Sequence, residues 1–265
     1  MPFTNQSLLL KVDGNEEQFL VEQVSGNESM SGLFRFELEL VSQDTEIELR
    51  TILASDATLT IMRYELDAGI RAEDPQQFAG VFAEFEQLEQ GQEWTKYRAV
   101  LVPKIWRATR TTRSRIFVDK SVDELIDAVM AADPPLLNEG EYKKLLEEPE
   151  SAATSSGDGS DSDPARMDDD PSINRELYPQ RQYTCQYEES DWDFLARWLE
   201  YEGVFFYFEH DHDAGEERMI FGDQSSSYGE ESIGSFQYRP TSAGGRGDED
   251  KSSKEEITSW RCSAP

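Results

Sequence analysis

The sequence predicts a mainly β protein interrupted by two helical segments. Three observations carry that expectation. Apolar and charged residues alternate with period two across Leu33 to Val41 and again across residues 81–86. The period switches to helical spacing over residues 121–132. A second helical segment, residues 190–202, then runs directly into the apolar string Val204-Phe205-Phe206-Tyr207-Phe208.

The first strand is the clearest. Arg35, Glu37 and Glu39 fall on one face, and Phe34, Phe36, Leu38 and Leu40 on the other, the pattern of a strand with one face buried. Val81, Ala83 and Phe85 against Glu84 and Glu86 repeat the alternation. Leu59 to Tyr64 and Tyr97 to Val102 are further strands, the latter ended by Pro103, which has no N–H to donate. Short strands divided by Gly, Asp and Asn turns predict an antiparallel barrel or sandwich from residue 3 to residue 118.

The helices follow from their own signals. Val122, Leu125, Ile126, Val129 and Met130 share one helical face, Ser121 and Glu124 form a capping box, and Pro134 and Pro135 stop the helix. In the second helix Ser190 is the N-cap with Asp193 as its partner. Trp192, Leu195, Ala196 and Leu199 make one apolar stripe; Phe194, Trp198 and Tyr201 make another. Two stripes predict a helix wedged between two packing partners. Gly203 terminates it, Val204–Phe208 is a buried strand, and Arg218 to Phe221 is its hairpin mate. Helices are expected in these two segments only. A last strand is expected at Ile257 to Trp260.

Residues 147–172 hold nine Asp/Glu and one Arg among Ser, Gly and Pro. Such a segment has too little to bury to offset its ordering entropy and reads as a disordered linker. The whole chain carries a net charge of −30 over 265 residues. That surface repels nucleic acid and anionic membranes, so neither is an expected partner. It is also what a high-salt habitat would favour, since counterions relieve self-repulsion. No apolar run approaches the ~20 residues of a membrane span. The start of the chain shows no signal peptide, so synthesis in the cytoplasm is expected, and export only by a route other than general secretion. Cys185 and Cys262 are too few for a disulfide framework, and reduced thiols are expected.

Four stretches, in order, resemble the type VI secretion spike proteins (valine-glycine repeat protein G), which are similar to the tail hub proteins of contractile-tailed phages. They are Val24 to Phe36, with Gly26, Leu33, Phe34 and Phe36; Pro103-Lys104-Ile105-Trp106; Arg115-Ile116-Phe117; and Gln186 to His210, with Tyr187, Glu189, Asp191, Phe194, Arg197, Glu200, Gly203, Tyr207, Phe208 and Glu209. The resemblance implies a mainly β fold of phage tail hub-like β-barrels with a small α/β insert and the second barrel truncated. It divides the chain into a first barrel (1–118), the helical segment of the insert (119–146), the acidic linker (147–177), the helix and β-hairpin of the insert (178–232) and the incomplete start of a second barrel (233–265). It further implies a structural hub, not an enzyme. Three copies would form a ring joining the tube to the needle, with tube and baseplate proteins as partners and the needle part missing from this chain. Strands near 33–41 and 81–88 and the helix 190–202 are the expected contact elements. The alternative is a stand-alone acidic binding module derived from such a hub.

Candidate chemistry is sparse, and no cofactor is expected. His210-Asp211-His212-Asp213 has metal-ligand types, but adjacent turn residues rarely converge on one ion, so a solvated hairpin turn is expected instead. Ser190, Asp193 and His210 could compose a hydrolase triad, yet no Gly-x-Ser-x-Gly elbow is present and capping accounts for the first two. The tripeptide Arg246-Gly247-Asp248 arises easily by chance in a Gly/Asp-rich loop.

Overall fold

The computed structural model describes residues 8–14, 19–44, 47–65, 71–91, 93–146, 178–211, 215–224, 227, 237–238 and 256–257. The strands are β1 (Leu8–Val12), β2 (Leu20–Asn27), β3 (Arg35–Ser42), β4 (Asp56–Glu65), β5 (Arg71–Gln90), β6 (Thr95–Val102), β7 (Thr112–Phe117), β8 (Tyr142–Leu145), β9 (Thr184–Ser190), β10 (Phe205–Asp211), β11 (Glu216–Gly222), β12 (Gln237–Tyr238) and β13 (Glu256–Ile257). The helices are α1 (Leu49–Ala54), α2 (Val122–Met130) and α3 (Asp191–Glu202), with a 3-10 turn at Lys104–Arg110.

β1 to β6 close into a barrel in the order β1-β2-β3-β6-β5-β4. Every neighbouring pair is antiparallel. Closure leaves no edge strand exposed. Alternation decides what faces inward: Phe36, Leu38 and Leu40 of β3 are buried, while Glu37 and Glu39 are exposed. Phe19, Phe85 and Tyr97 meet edge-on or tilted, with ring centroids 5.5–6.0 Å apart, a preferred arrangement for aromatic rings in a core.

β5 departs from strict alternation. A bulge between Phe82 and Glu84 turns both Phe82 and Phe85 into the barrel. Val81 and Ala83, expected to share a face with Phe85, instead lie outside, in a small cluster with Val100, Val102 and Trp106. One extra residue in a bulge shifts the pleat, which period-two counting cannot register.

Two helical elements were not expected. α1 is six residues long and its N-cap, Glu48, makes no side-chain cap, so it offers neither a capping signal nor two turns of periodicity. Tertiary contact holds it: Ile52 is fully buried against the barrel core. The 3-10 turn follows Pro103, whose φ of −66° suits a helical start. It carries the chain off the barrel, so Thr112–Phe117 does not belong to the barrel, as the boundary at 118 required. It pairs as β7 with the distant β9, antiparallel.

α2 begins with the expected capping box, Ser121 and Glu124 bonding reciprocally. α3 begins at Ser190, whose hydroxyl accepts from the Asp193 amide and donates to its carboxylate, and ends at Gly203 with φ +74°. β10 and β11 form the expected hairpin, and β8 joins β11 in parallel. Of residues 233–265 only β12 and β13 are described, as a parallel pair. Of the strand expected at Ile257 to Trp260, Ile257 lies in β13 and residues 258–260 lie outside the described residues. The linker 147–172, His212, Asp213, Cys262 and Arg246-Gly247-Asp248 lie outside the described residues.

Candidate functional site

The residues that carry the resemblance fall mainly in three groups, one made of β7, β9 and α3 and two between the barrel and the elements that follow it. The first surrounds Asp191, which is fully buried. Its carboxylate takes Arg113 Nε at 3.0 Å, an Arg115 terminal nitrogen at 2.6 Å and Gln186 Nε2 at 2.9 Å. Its amide donates to Thr111 O at 3.0 Å. A buried carboxylate is tolerable only when paired and hydrogen-bonded in this way. Burial pulls the Arg115 guanidinium down from its ordinary value; Asp191 opposes this and Arg113 adds to it. Beside the cluster Arg197 binds Glu189 at 2.6 Å, and Phe117 stacks on Phe194 with centroids 5.2 Å apart. The motif residues Arg115, Phe117, Glu189, Asp191, Phe194 and Arg197 are thus one connected unit, made of β7, β9 and α3. Glu200 and Tyr187 stand outside it, exposed.

The second group was not foreseen. Lys104 Nζ lies 2.9 Å from both Asp56 and Glu141. Its amide donates to Glu217 Oε1 at 2.6 Å. Burial pulls the Lys104 ammonium down, but hydrogen bonds to Glu141 and Asp56 outweigh it and the net shift is upward. Glu217 is 3% exposed, and burial pushes its carboxyl up to about 8 despite the Lys104 amide and ammonium. The signal was present in the sequence: Glu217 shares the inward phase of β11 with Met219 and Phe221. A carboxylate on the apolar face of a strand marks a buried one. Pro103 and Trp106 frame this group, the indole packing on the outside of the barrel.

The third group joins the hairpin to the barrel. Phe34 is fully buried, edge-on to Phe208 at 5.2 Å and to His210 at 5.5 Å. His210 Nδ1 accepts from the Ala79 amide at 3.2 Å, and its ring meets Phe78 at 5.3 Å. Its side chain is 9% exposed. The solvated-turn expectation therefore fails for His210: the hairpin lies on the barrel, and the ring that would have faced water fills the seam. Ser31 N donates to Phe206 O at 2.8 Å, which brings the Gly26–Phe36 stretch to the same place. Gly26 has no room for a side chain, since an added Cβ would strike Arg35 O and the Phe36 ring. Leu33 packs against the core, Tyr207 donates to Ser227 O at 2.8 Å, and Glu209 is exposed.

Ser190, Asp193 and His210 are not assembled as a triad: Ser190 and Asp193 cap α3, while His210 is held by Ala79, Phe34 and Phe78. Among the described residues no cluster of three or more His, Cys, Asp or Glu is placed to hold a metal. Cys185 is a free thiol. No described helix is long and apolar enough to cross a membrane. The arrangement is a packed joint, suited to fixing the insert against the barrel.

A closed antiparallel barrel with an α/β insert locked to it is the architecture of a tail-hub protein. The E. coli c3393 protein, a component of the type VI secretion system with structural similarity to the T4 bacteriophage tail proteins gp27 and gp5, superposes with a TM-score of 0.62 at 22% identity. That match covers 88% of this chain and 52% of that one. A chain of the Francisella PdpA–VgrG complex superposes with a TM-score of 0.50 at 13% identity over 82% of this chain and 31% of that one. Residues 27–264 match the phage tail baseplate hub (GPD) family, and the chain belongs to that family. It is 28% identical over 192 residues to the type VI secretion system spike protein VgrG1a of Pseudomonas aeruginosa, covering 72% of this chain and 24% of that protein. It is likewise 28% identical over 227 residues to VgrG5 of the same organism, covering 86% and 24%. The chain spans about a quarter of the length of these relatives.

Proposed function

We propose that this chain is the hub portion of the spike of a contractile injection machine, three copies forming a ring that joins the tube to the needle. The observation that carries the reading is the hub-family match across residues 27–264, on a chain that folds as a barrel with its insert docked on the seam. The relatives that are type VI spike proteins support a machine of that class. Tube and baseplate proteins are the partners, and the spike carries the chain out of the cell.

The role is structural. A relative named actin cross-linking toxin VgrG1, from Vibrio cholerae, is 26% identical over 228 residues, but these cover only 17% of that protein. The residues that carry the resemblance serve packing, with buried Asp191 centring the group that ties β7 and β9 to α3. The stand-alone binding module is not favoured, because the hub-family match runs from residue 27 to residue 264.

Sedimentation equilibrium tests the reading. A hub portion gives three times the chain mass of 30.3 kDa as concentration rises. A chain that stays monomeric into the high micromolar range overturns it.

A further inference from the structure

β5 and β6 are paired only from Val81 and Val102 onward. Two backbone amides stand just past that end, Ala79 two residues before Val81 and Lys104 two residues after Val102. Ala79 donates to His210 Nδ1 at 3.2 Å and Lys104 to Glu217 Oε1 at 2.6 Å. His210 and Glu217 are opposite each other in the β10–β11 register, so their side chains share the face that lies on the barrel. Their strand neighbours Glu209, Asp211, Glu216 and Arg218 alternate to the exposed side. The tip of the hairpin thus closes the open end of the ladder with one imidazole and one carboxyl, and Thr58 Oγ1 adds a bond to Gly215 O at 3.3 Å. Deeper in the hairpin the contacts change character: Phe206, Phe208, Met219 and Phe221 are held by the apolar core.

Both anchors have to be uncharged. An imidazolium donates from both nitrogens, so His210 cannot take a second proton while Nδ1 accepts from Ala79. Its Nε2 is buried with no hydrogen-bond partner, and Glu28, the acid facing it from just after β2, is 3.8 Å away. Glu28 attracts an imidazolium but does not give Ala79 another acceptor. Glu217 Oε2 is likewise buried with no partner. Burial, with Asp56 and Glu141 beside it, opposes the charge of Glu217 and prevails over the Lys104 amide and ammonium, pushing the carboxyl up to about 8. A buried charge short of partners is costly, and exposure to water relieves it.

We infer that the tip of the β10–β11 hairpin is a proton-operated latch: it seats on the end of the β5–β6 ladder while His210 and Glu217 are both uncharged, and lifts when either takes its charge. Glu217 holds a proton when seated that it releases when lifted, so it weakens seating as pH rises from 4.5 to about 8. His210 takes a proton on lifting, so it weakens seating as pH falls below the ordinary imidazole value of about 6.5. Where the two ranges overlap they cancel. Lifting there moves one proton from Glu217 to His210 through solvent, and seating is level with pH.

Amide hydrogen exchange on the full chain, with protection taken relative to the intrinsic rate at each pH, reads the latch. Ala79 and Lys104 are expected to exchange together and at least about tenfold faster than amides of the β3–β6 ladder, because a local opening costs less than global unfolding. One proton changes the equilibrium tenfold per pH unit, so the parent's protection at both amides is expected to fall about tenfold from pH 5.5 to pH 8. His210→Asn keeps an acceptor for Ala79 but takes no proton, and its fall is expected to be about a hundredfold. Glu217→Gln keeps an acceptor for Lys104 but does not ionise, and its protection is expected to rise about tenfold over the same range. Constant protection in the parent, or variants that follow the parent's profile, overturns the inference. So does exchange of Ala79 and Lys104 at the rate of the ladder, which means that the tip never lifts alone. Where a variant does not fold, the parent's profile decides.

Discussion

Glu217 is an acid whose proton the fold retains. Its carboxyl titrates at about 8, against an ordinary 4.5, because burial disfavours the charge. Between these two values the folded chain holds a proton that the unfolded chain has released, so stability falls as pH rises through that window and levels off above it. Glu217→Gln keeps the shape and removes the titration. Its stability is expected to exceed the parent's by a few kcal/mol near pH 8 and to converge with it near pH 5. Urea unfolding at the two pH values measures this, and parallel profiles would show that Glu217 ionises freely. Glu141 acts in the opposite direction: burial alone would raise it, but the Asn138 amide and Lys104 hold it below its ordinary value. Its contribution is therefore present at neutral pH and lost as pH falls below 4.5.

Among the elements, α3 is wedged differently from its two-stripe pattern. Phe194, Leu195 and Leu199 are buried on the core side. Of the second stripe Phe194 joins the core, while the other two meet a cation: Arg181 lies 4.8 Å over Trp198 and 4.7 Å over Tyr201, and Tyr201 is 69% exposed. Helical periodicity counts apolar residues; it cannot tell an apolar neighbour from a guanidinium, because aromatic faces accept both. Phe194→Ala, which opens a cavity under Phe117, is expected to cost about 3–5 kcal/mol. Trp198→Ala, at a half-buried site, should cost only about 1–2 kcal/mol. Paired denaturant titrations decide between them; equal losses would mean that a full second packing face exists.

Across the molecule, net charge outweighs any single ion pair. Exposed pairs such as Arg35–Glu37 and Arg98–Glu84 span 3.4–3.5 Å and contribute little each. They do not offset a net of −30. Self-repulsion reaches across the domain at 0.01 M salt, where the screening length is ~30 Å, and is largely removed at 1 M, where it is ~3 Å. The unfolding midpoint is expected to climb steeply between those limits. A flat midpoint would reduce the acidity to plain solubilisation.

The inward and outward faces of β3, the capping box of α2, both ends of α3 and the β10–β11 hairpin are legible in the amino-acid order alone. Each rests on neighbours within a few residues, where periodicity, capping and the freedom of glycine act directly. Other features exist only once the chain has folded. β7 finds β9 far along the chain, α1 exists because Ile52 has a core to enter, and the bulge in β5 re-aims Phe82 and Phe85. His210 belongs to a seam because Phe34 and Phe78 happen to face it, and Asp191 is an ion-pair centre because Arg113 and Arg115 approach from another strand. These are contacts between distant segments, and their energy comes from desolvation and pairing in a shared interior, which no local window of sequence contains.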